Sequence, residues 1–168
     1  EQTNPESGEL AGLVGTSGCS ARACHGSLEP RTSQRVLQNE YIVWMQWDKH
    51  AHAYDVLLND RSRIIAKNLA NPGGSVIAAH QDERCLACHS IPAADYGELD
   101  RLNRLRDGVS CESCHGAAKN WVAAHTTEAW RGLPAEEKLG HGMKNTKDLS
   151  ARAQMCVGCH VGAPANED

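Results

Sequence analysis

The apolar positions of the chain recur in short windows of helical period. Between Gln34 and Leu58 the residues Val43, Trp47, His50, Tyr54 and Leu57 follow one another at spacings of three and four, which predicts a long helix with that stripe turned inward. Asp60 opens a second helical stretch with Ile64, Ile65 and Leu69, and Asn71-Pro72-Gly73-Gly74 stops it in a loop. Ala94 to Asp107 gives a charged helix with Leu99, Leu102 and Leu105 on one side, and Ala117 to Trp130 aligns Trp121, Ala124, His125 and Ala129. Asp148 or Thr146 stands where a cap belongs for a last helix through Leu149, Ala153 and Cys156. Strand alternation is not evident, so the class is mainly α, a small fold with long irregular connections and little or no strand. Residues 1–14 read as a flexible polar lead, 15–161 as a single domain and 162–168 as a polar tail.

Composition adds a volume problem. The 168 residues contain no Phe and only 4% aromatic side chains, so little bulky matter is available to fill a core. The 8 cysteines supply an answer through their spacing. Cys85-Leu86-Ala87-Cys88-His89, Cys111-Glu112-Ser113-Cys114-His115 and Cys156-Val157-Gly158-Cys159-His160 are three copies of the c-type haem attachment sequence. On a helical turn the two cysteines and the histidine lie on one face, so one porphyrin meets both thioether sulfurs and its proximal imidazole there. Cys19-Ser20-Ala21-Arg22-Ala23-Cys24-His25 keeps the adjacent Cys-His but has four residues between the cysteines. A regular helix would carry its second sulfur about 140° around the axis, so Ser20 to Ala23 must loop out. Structural zinc, a thioredoxin-like redox pair or disulfides would also use Cys-x-x-Cys. None of them needs a histidine after every second cysteine, and the haem reading consumes all 8 cysteines.

The expectation is therefore four covalently bound haem c groups, with thioethers at Cys19, Cys24, Cys85, Cys88, Cys111, Cys114, Cys156 and Cys159 and proximal imidazoles from His25, His89, His115 and His160. Four apolar rings would supply the missing core. Five histidines remain for the far sides of the irons, where His/His ligation gives low-potential haem, Met raises the potential and an open position gives a reactive iron. His50 on the inward stripe and His125 beside Trp121 lead as distal ligands. Met143, His80, His141 and His52 are further candidates, although His52 is rotated about 200° from His50 onto a face with Asp48, Asp55 and Asn59 and reads as solvent-facing. Met45 and Met155 read as core filler. Arg101, Arg104 and Arg106 are solvated or pair with haem propionates, and the helix that bears them reads as a lid over a haem.

Net charge is −4, which offers no field for a nucleic-acid backbone, and no run of apolar residues is long enough to span a membrane. With its propionates ionised the oxidised holoprotein should approach about −8, so partners should be redox proteins that present basic docking patches. Haem attachment takes place outside the cytoplasm, which predicts an exported, periplasmic or otherwise extracytoplasmic protein whose export signal has been removed.

Further residues specify more than haem. His50-Ala51-His52-Ala53-Tyr54 after Trp47, Cys85 to Ser90, Gly108 to Gly116, Trp121 with His125, Gly142-Met143, and Arg152-Ala153 before Cys159-His160-Val161-Gly162 resemble the cytochrome c-554-like multihaem family over about residues 19 to 162. The resemblance implies a tetrahaem fold with closely spaced porphyrins, mostly bis-His ligation, sometimes one five-coordinate haem, and a role as electron carrier in respiration or nitrogen metabolism. It puts His50 and His125 ahead as distal ligands. The founding members have the regular two-residue loop at the first site, and this chain departs from them there. Electron transfer by a monomer is the leading function. The alternatives are a haem enzyme or small-ligand binder with one open iron, acting on a nitrogen oxide, hydroxylamine or peroxide with Tyr54, His52 or His141 as proton donor, and a polymerising or complex-bound conducting subunit.

Overall fold

The computed structural model describes residues 12–33, 36–70, 72–91 and 98–161. The predicted lead up to residue 11, the tail 162–168, the first two residues of the predicted long helix, the residues 94–97 and the side chains of Leu99 and Arg101 lie outside the described residues. The protein is mainly helical, and no strand occurs among the described residues. It divides into two compact units, one over Val14–Ser110 and the other built from Cys111–Asp168 with Glu1–Leu13. The first unit carries the Cys19/Cys24 and Cys85/Cys88 sets, and the second carries the Cys111/Cys114 and Cys156/Cys159 sets.

In the first unit, helix α1 spans Glu40–Trp47, α2 Asp60–Asn68, α3 Glu83–His89 and α4 Glu98–Arg106. The single helix predicted from Gln34 to Leu58 is instead α1 followed by two 3-10 turns, Lys49–His52 and Asp55–Leu58. Asp48 makes the break: its backbone is extended, with φ −87° and ψ 125°, and its carboxylate accepts from His50 N–H to start the next turn. An aspartate competes with the helix in this way by offering the backbone an alternative acceptor. The predicted stripe is therefore not one face. Tyr54 and Leu57 are buried, whereas Val43 is exposed and Trp47 is 78% exposed.

Helix α2 begins where expected, with Asn59 Oδ1 accepting from Ser62 N–H at 2.9 Å. Its inward residue is Ala66, however, and Ile64, Ile65 and Leu69 are exposed. Tyr54, Leu57, Ala66, Ala79, Leu86 and Leu105 form the core of this unit, with Cys85 packed against it. Leu105 thus turns inward from α4, whereas Leu102, expected on the same apolar side, is exposed. Gly108, with φ +62°, lets the chain pass so close to the His50 carbonyl that a Cβ there would stand 2.6 Å from its oxygen. Val109 N–H donates to the same carbonyl at 3.0 Å, and Trp44 Nε1–H donates to the Val109 carbonyl at 3.2 Å.

In the second unit, helix α5 is Cys111–His115, α6 Glu128–Gly132, α7 Ala135–Gly140 and α8 Leu149–His160. The predicted helix from Ala117 to Trp130 resolves into turns, a 3-10 turn at Ala124–Thr126, and α6. Thr127 interrupts it by accepting at Oγ1 from Trp130 N–H, which caps α6. Of the two capping candidates for the last helix, Asp148 serves, accepting from Ala151 N–H at 2.7 Å. Ala118, Trp121, Trp130 and Glu112 are buried here, and Lys119 N–H donates to the Gly12 carbonyl at 2.7 Å.

Candidate haem sites

Each regular Cys-x-x-Cys-His set lies on a helix, and in each the histidine is the helix's last residue. The two sulfurs and the imidazole therefore sit on one face at a helix end, where the last carbonyls favour positive charge. Cap residues fix where two of these helices start. Asp82, 5% exposed, accepts from Arg84 N–H at 3.0 Å at the start of α3 and pairs with the Arg84 guanidinium at 2.7 Å. That hydrogen bond holds the Asp82 carboxyl below its ordinary range against the opposing effect of burial. Asp148 does the corresponding work for α8. In α5 the buried Glu112, between the two cysteines, accepts from Ala118 N–H at 2.7 Å and locks the motif to the chain that leaves it.

The Cys19/Cys24 set is built differently, and Ser20 to Ala23 do loop out. His25 N–H donates to the Cys19 carbonyl at 3.2 Å, six residues back, while Cys24 N–H and Gly26 N–H both donate to the Ala21 carbonyl. Ala21, Arg22 and Ala23 are exposed on this bulge. It closes only because residue 26 is glycine: a Cβ there would stand 1.8 Å from the Ser20 carbonyl oxygen. Gly116, which follows His115, plays a similar part. At φ +83° it passes the Gly142 carbonyl, which a Cβ would meet at 2.0 Å, and Lys144 N–H donates to the His115 carbonyl at 2.9 Å.

The imidazoles show a common arrangement. His25 Nδ1–H donates to Glu40 Oε2 at 2.9 Å, His89 Nδ1–H to the Ala53 carbonyl at 2.7 Å, His50 Nδ1–H to Asp48 Oδ1 at 2.9 Å, and His125 Nδ1–H to the Val122 carbonyl. A carbonyl or an ionised carboxylate only accepts, so each contact places the proton on Nδ1 and leaves the Nε2 lone pair as the metal donor. An orienting acceptor on the other ring nitrogen is what a metal-ligating histidine usually has. His25 and His89, expected as proximal ligands, share it with His50 and His125, the two leading distal candidates. Burial pushes the Glu40 carboxyl up, but the hydrogen bonds it accepts from His25 and from backbone N–H groups hold it below the usual range.

The other candidates are placed less distinctively. His52 lies 3.6 Å from Asp55 with its side chain 56% exposed, as expected of a solvent-facing group, yet His50 is 48% exposed, so exposure does not separate the two. His80 is half-buried in the turn before α3. His141 follows α7 and lies tilted against Trp130 with centroids 5.3 Å apart, and Met143 N–H donates to the Lys138 carbonyl. Trp121 meets His125 edge-on at 5.5 Å. Arg104 stands beside Gly15, and Arg106 is exposed. Sequence reasoning missed Glu40 and Asp48 as partners of histidines; the only available signal was a carboxylate at each end of α1.

These residues fit haem c. The donor set is that of thioether and imidazole attachment, the Nδ1 partners fix the needed tautomer, and no disulfide joins any of the eight cysteines. Burial first, then the Asp82 charge, push the Cys85 thiol up, the reverse of a reactive redox cysteine. Among the described residues no three His, Cys, Asp or Glu side chains converge as a zinc site requires. Trp121 Nε1–H is buried without an acceptor, which costs about 1–3 kcal/mol and suits an anionic oxygen such as a propionate.

Helix-borne Cys-x-x-Cys-His sets on a mainly α chain define a c-type cytochrome, a carrier of electrons by covalently bound haem c. Residues 19–116 match the family model of cytochrome c554 and c-prime, and the chain belongs to that family. The matched stretch holds the Cys19, Cys85 and Cys111 sets, and the Cys156 set lies beyond it. No curated protein and no solved structure matches the chain. Members of this class are typically extracytoplasmic, and among the described residues no helix is long and apolar enough to cross a membrane.

Proposed function

We propose that the chain carries four haem c groups and works as a tetrahaem electron carrier in a periplasmic respiratory or nitrogen-metabolism chain. The observation that carries this reading is the use of every cysteine in a Cys-Cys-His set, with two sets in each compact unit. Haem supplies a reversible one-electron couple. The chain's own part is positional. Cys19, Cys24, Cys85, Cys88, Cys111, Cys114, Cys156 and Cys159 tether the rings, and His25, His89, His115 and His160 present Nε2 to the irons. His50 and His125, each with Nδ1 engaged, are the distal ligands, and Met143, His80, His141 and His52 compete for the remaining positions. Redox partners dock through basic patches.

The experiment is haem content per chain with optical and electron paramagnetic resonance spectra of the oxidised holoprotein, before and after nitric oxide or cyanide. Four low-spin haems unaffected by either ligand are the expected result. A high-spin signal from one haem that shifts with ligand would move the reading toward the open-iron enzyme. Fewer than four haems would remove the Cys19/Cys24 site. Docking is checked separately: association with a basic partner should weaken as ionic strength rises, because screening over about 8–10 Å removes the long-range attraction.

A further inference from the structure

The surroundings of His25 are more elaborate than a turn requires. Glu40, the first residue of α1, sends Oε2 to His25 Nδ1 at 2.9 Å, and its Oε1 accepts from Leu37 N–H at 3.1 Å and Gln38 N–H at 3.2 Å. Tyr41 N–H donates to the His25 carbonyl at 3.0 Å, so the start of α1 grips both the ring and the backbone of this histidine. Between them Gln38 is held at φ +61°, in the left-handed region that a non-glycine residue rarely adopts. Three contacts keep it there: its N–H to Glu40, its carbonyl accepting from Ser27 N–H at 2.8 Å, and its Nε2–H donating to the Ala23 carbonyl at 3.1 Å. A strained residue of this kind persists only where its neighbours over-determine it, and here the strain sets the reach of one carboxylate to one imidazole.

We infer that Glu40 is a positioning residue for the His25 haem that lowers that haem's reduction potential through the Glu40–His25 hydrogen bond. An anionic acceptor on Nδ1 makes the imidazole a more basic ligand, and the nearby negative charge favours the more positive, oxidised iron. His89 gives the contrast within the same unit, because its Nδ1–H donates to the neutral Ala53 carbonyl. Water screens part of the charge, since the His25 and Glu40 side chains are 31% and 47% exposed. The direction of the effect is unaltered by that screening.

The inference rests on His25 being the proximal ligand of a haem at Cys19 and Cys24. Its test is a spectroelectrochemical titration of holoprotein carrying Glu40→Gln, which keeps an amide oxygen to accept from Leu37 and Gln38 but removes the charge. The expected result is four haems per chain, one reduction wave moved to higher potential with a change in one low-spin resonance signal, and the other waves unmoved. Glu40→Asp keeps the charge but withdraws it by one methylene, and it should move the same wave in the same direction by less. This variant carries the test if Glu40→Gln does not mature. Four haems with unmoved waves in a matured variant overturn the role of Glu40 alone. Three haems per wild-type chain overturn the Cys19/Cys24 site together with it.

Discussion

At the scale of single residues, the glycines that follow His25 and His115 carry a requirement that side-chain chemistry alone would not reveal. Gly26→Ala puts a methyl 1.8 Å from the Ser20 carbonyl oxygen, and the obstacle is backbone of the Cys19–Cys24 bulge, which cannot rotate away. The bulge must open, at a cost of roughly 2–4 kcal/mol. The expected outcome is a matured protein with one haem fewer per chain, read by pyridine haemochrome against protein mass. The neighbouring Gly18→Ala serves as control, because there the close atom is a Val14 methyl that can shift. The Cys-His sets were legible because attachment chemistry dictates residue type and spacing together. Glu40 was not, because it lies 15 residues from His25 and only the turn through Gln38 brings it back.

At the scale of elements, caps decided where helices began and ended. The periodicity from Gln34 to Leu58 is real in the sequence, but periodicity does not register the extended backbone at Asp48 that splits the segment into α1 and two 3-10 turns. Thr127 has the same effect before α6. Asp82 offers a direct measure of what a cap contributes. Asp82→Ala should cost about 1 kcal/mol by removing the acceptor for Arg84 N–H at the start of the Cys85 helix. Asp82→Asn retains a capping oxygen and isolates the charge. Because the folded-state value of Asp82 is depressed, its charge contributes stability above its ordinary value of 3.8 and loses it as the pH falls through the lower folded value. The stability difference between wild type and Asp82→Asn, followed by denaturant unfolding of the holoprotein, should therefore be constant near neutrality and vanish in that acidic window. A difference that persists below it would mean that the charge is not what the pair contributes.

At the scale of the whole molecule, the polypeptide buries little of its own apolar bulk. Among the described residues no large side chain is less than 2% exposed, while Leu28, Trp47, Ile64, Leu149 and Val161 are each more than half exposed. At roughly 25 cal/mol per Å² of apolar surface removed from water, a core of this size cannot offset the conformational entropy of ordering the chain. The apoprotein, made by expression without haem maturation, should therefore lack cooperative thermal unfolding and show reduced helical circular dichroism, while the holoprotein melts in one or more sharp steps. A cooperative melt of the apoprotein would show that side chains alone suffice.

By itself the sequence determined the helical class, the family, and the four Cys-His sets expected to attach haem, because these depend on local spacing along one turn of backbone. Tertiary structure decided which carboxylate or carbonyl meets the imidazoles of His25, His50, His89 and His125, which of the apolar positions turn inward, and how the wide first loop closes. The physical reason is the range of the interactions. Thioether geometry is satisfied within five to seven consecutive residues, whereas the Ala53 carbonyl that orients His89 lies 36 residues away and is brought there only by packing.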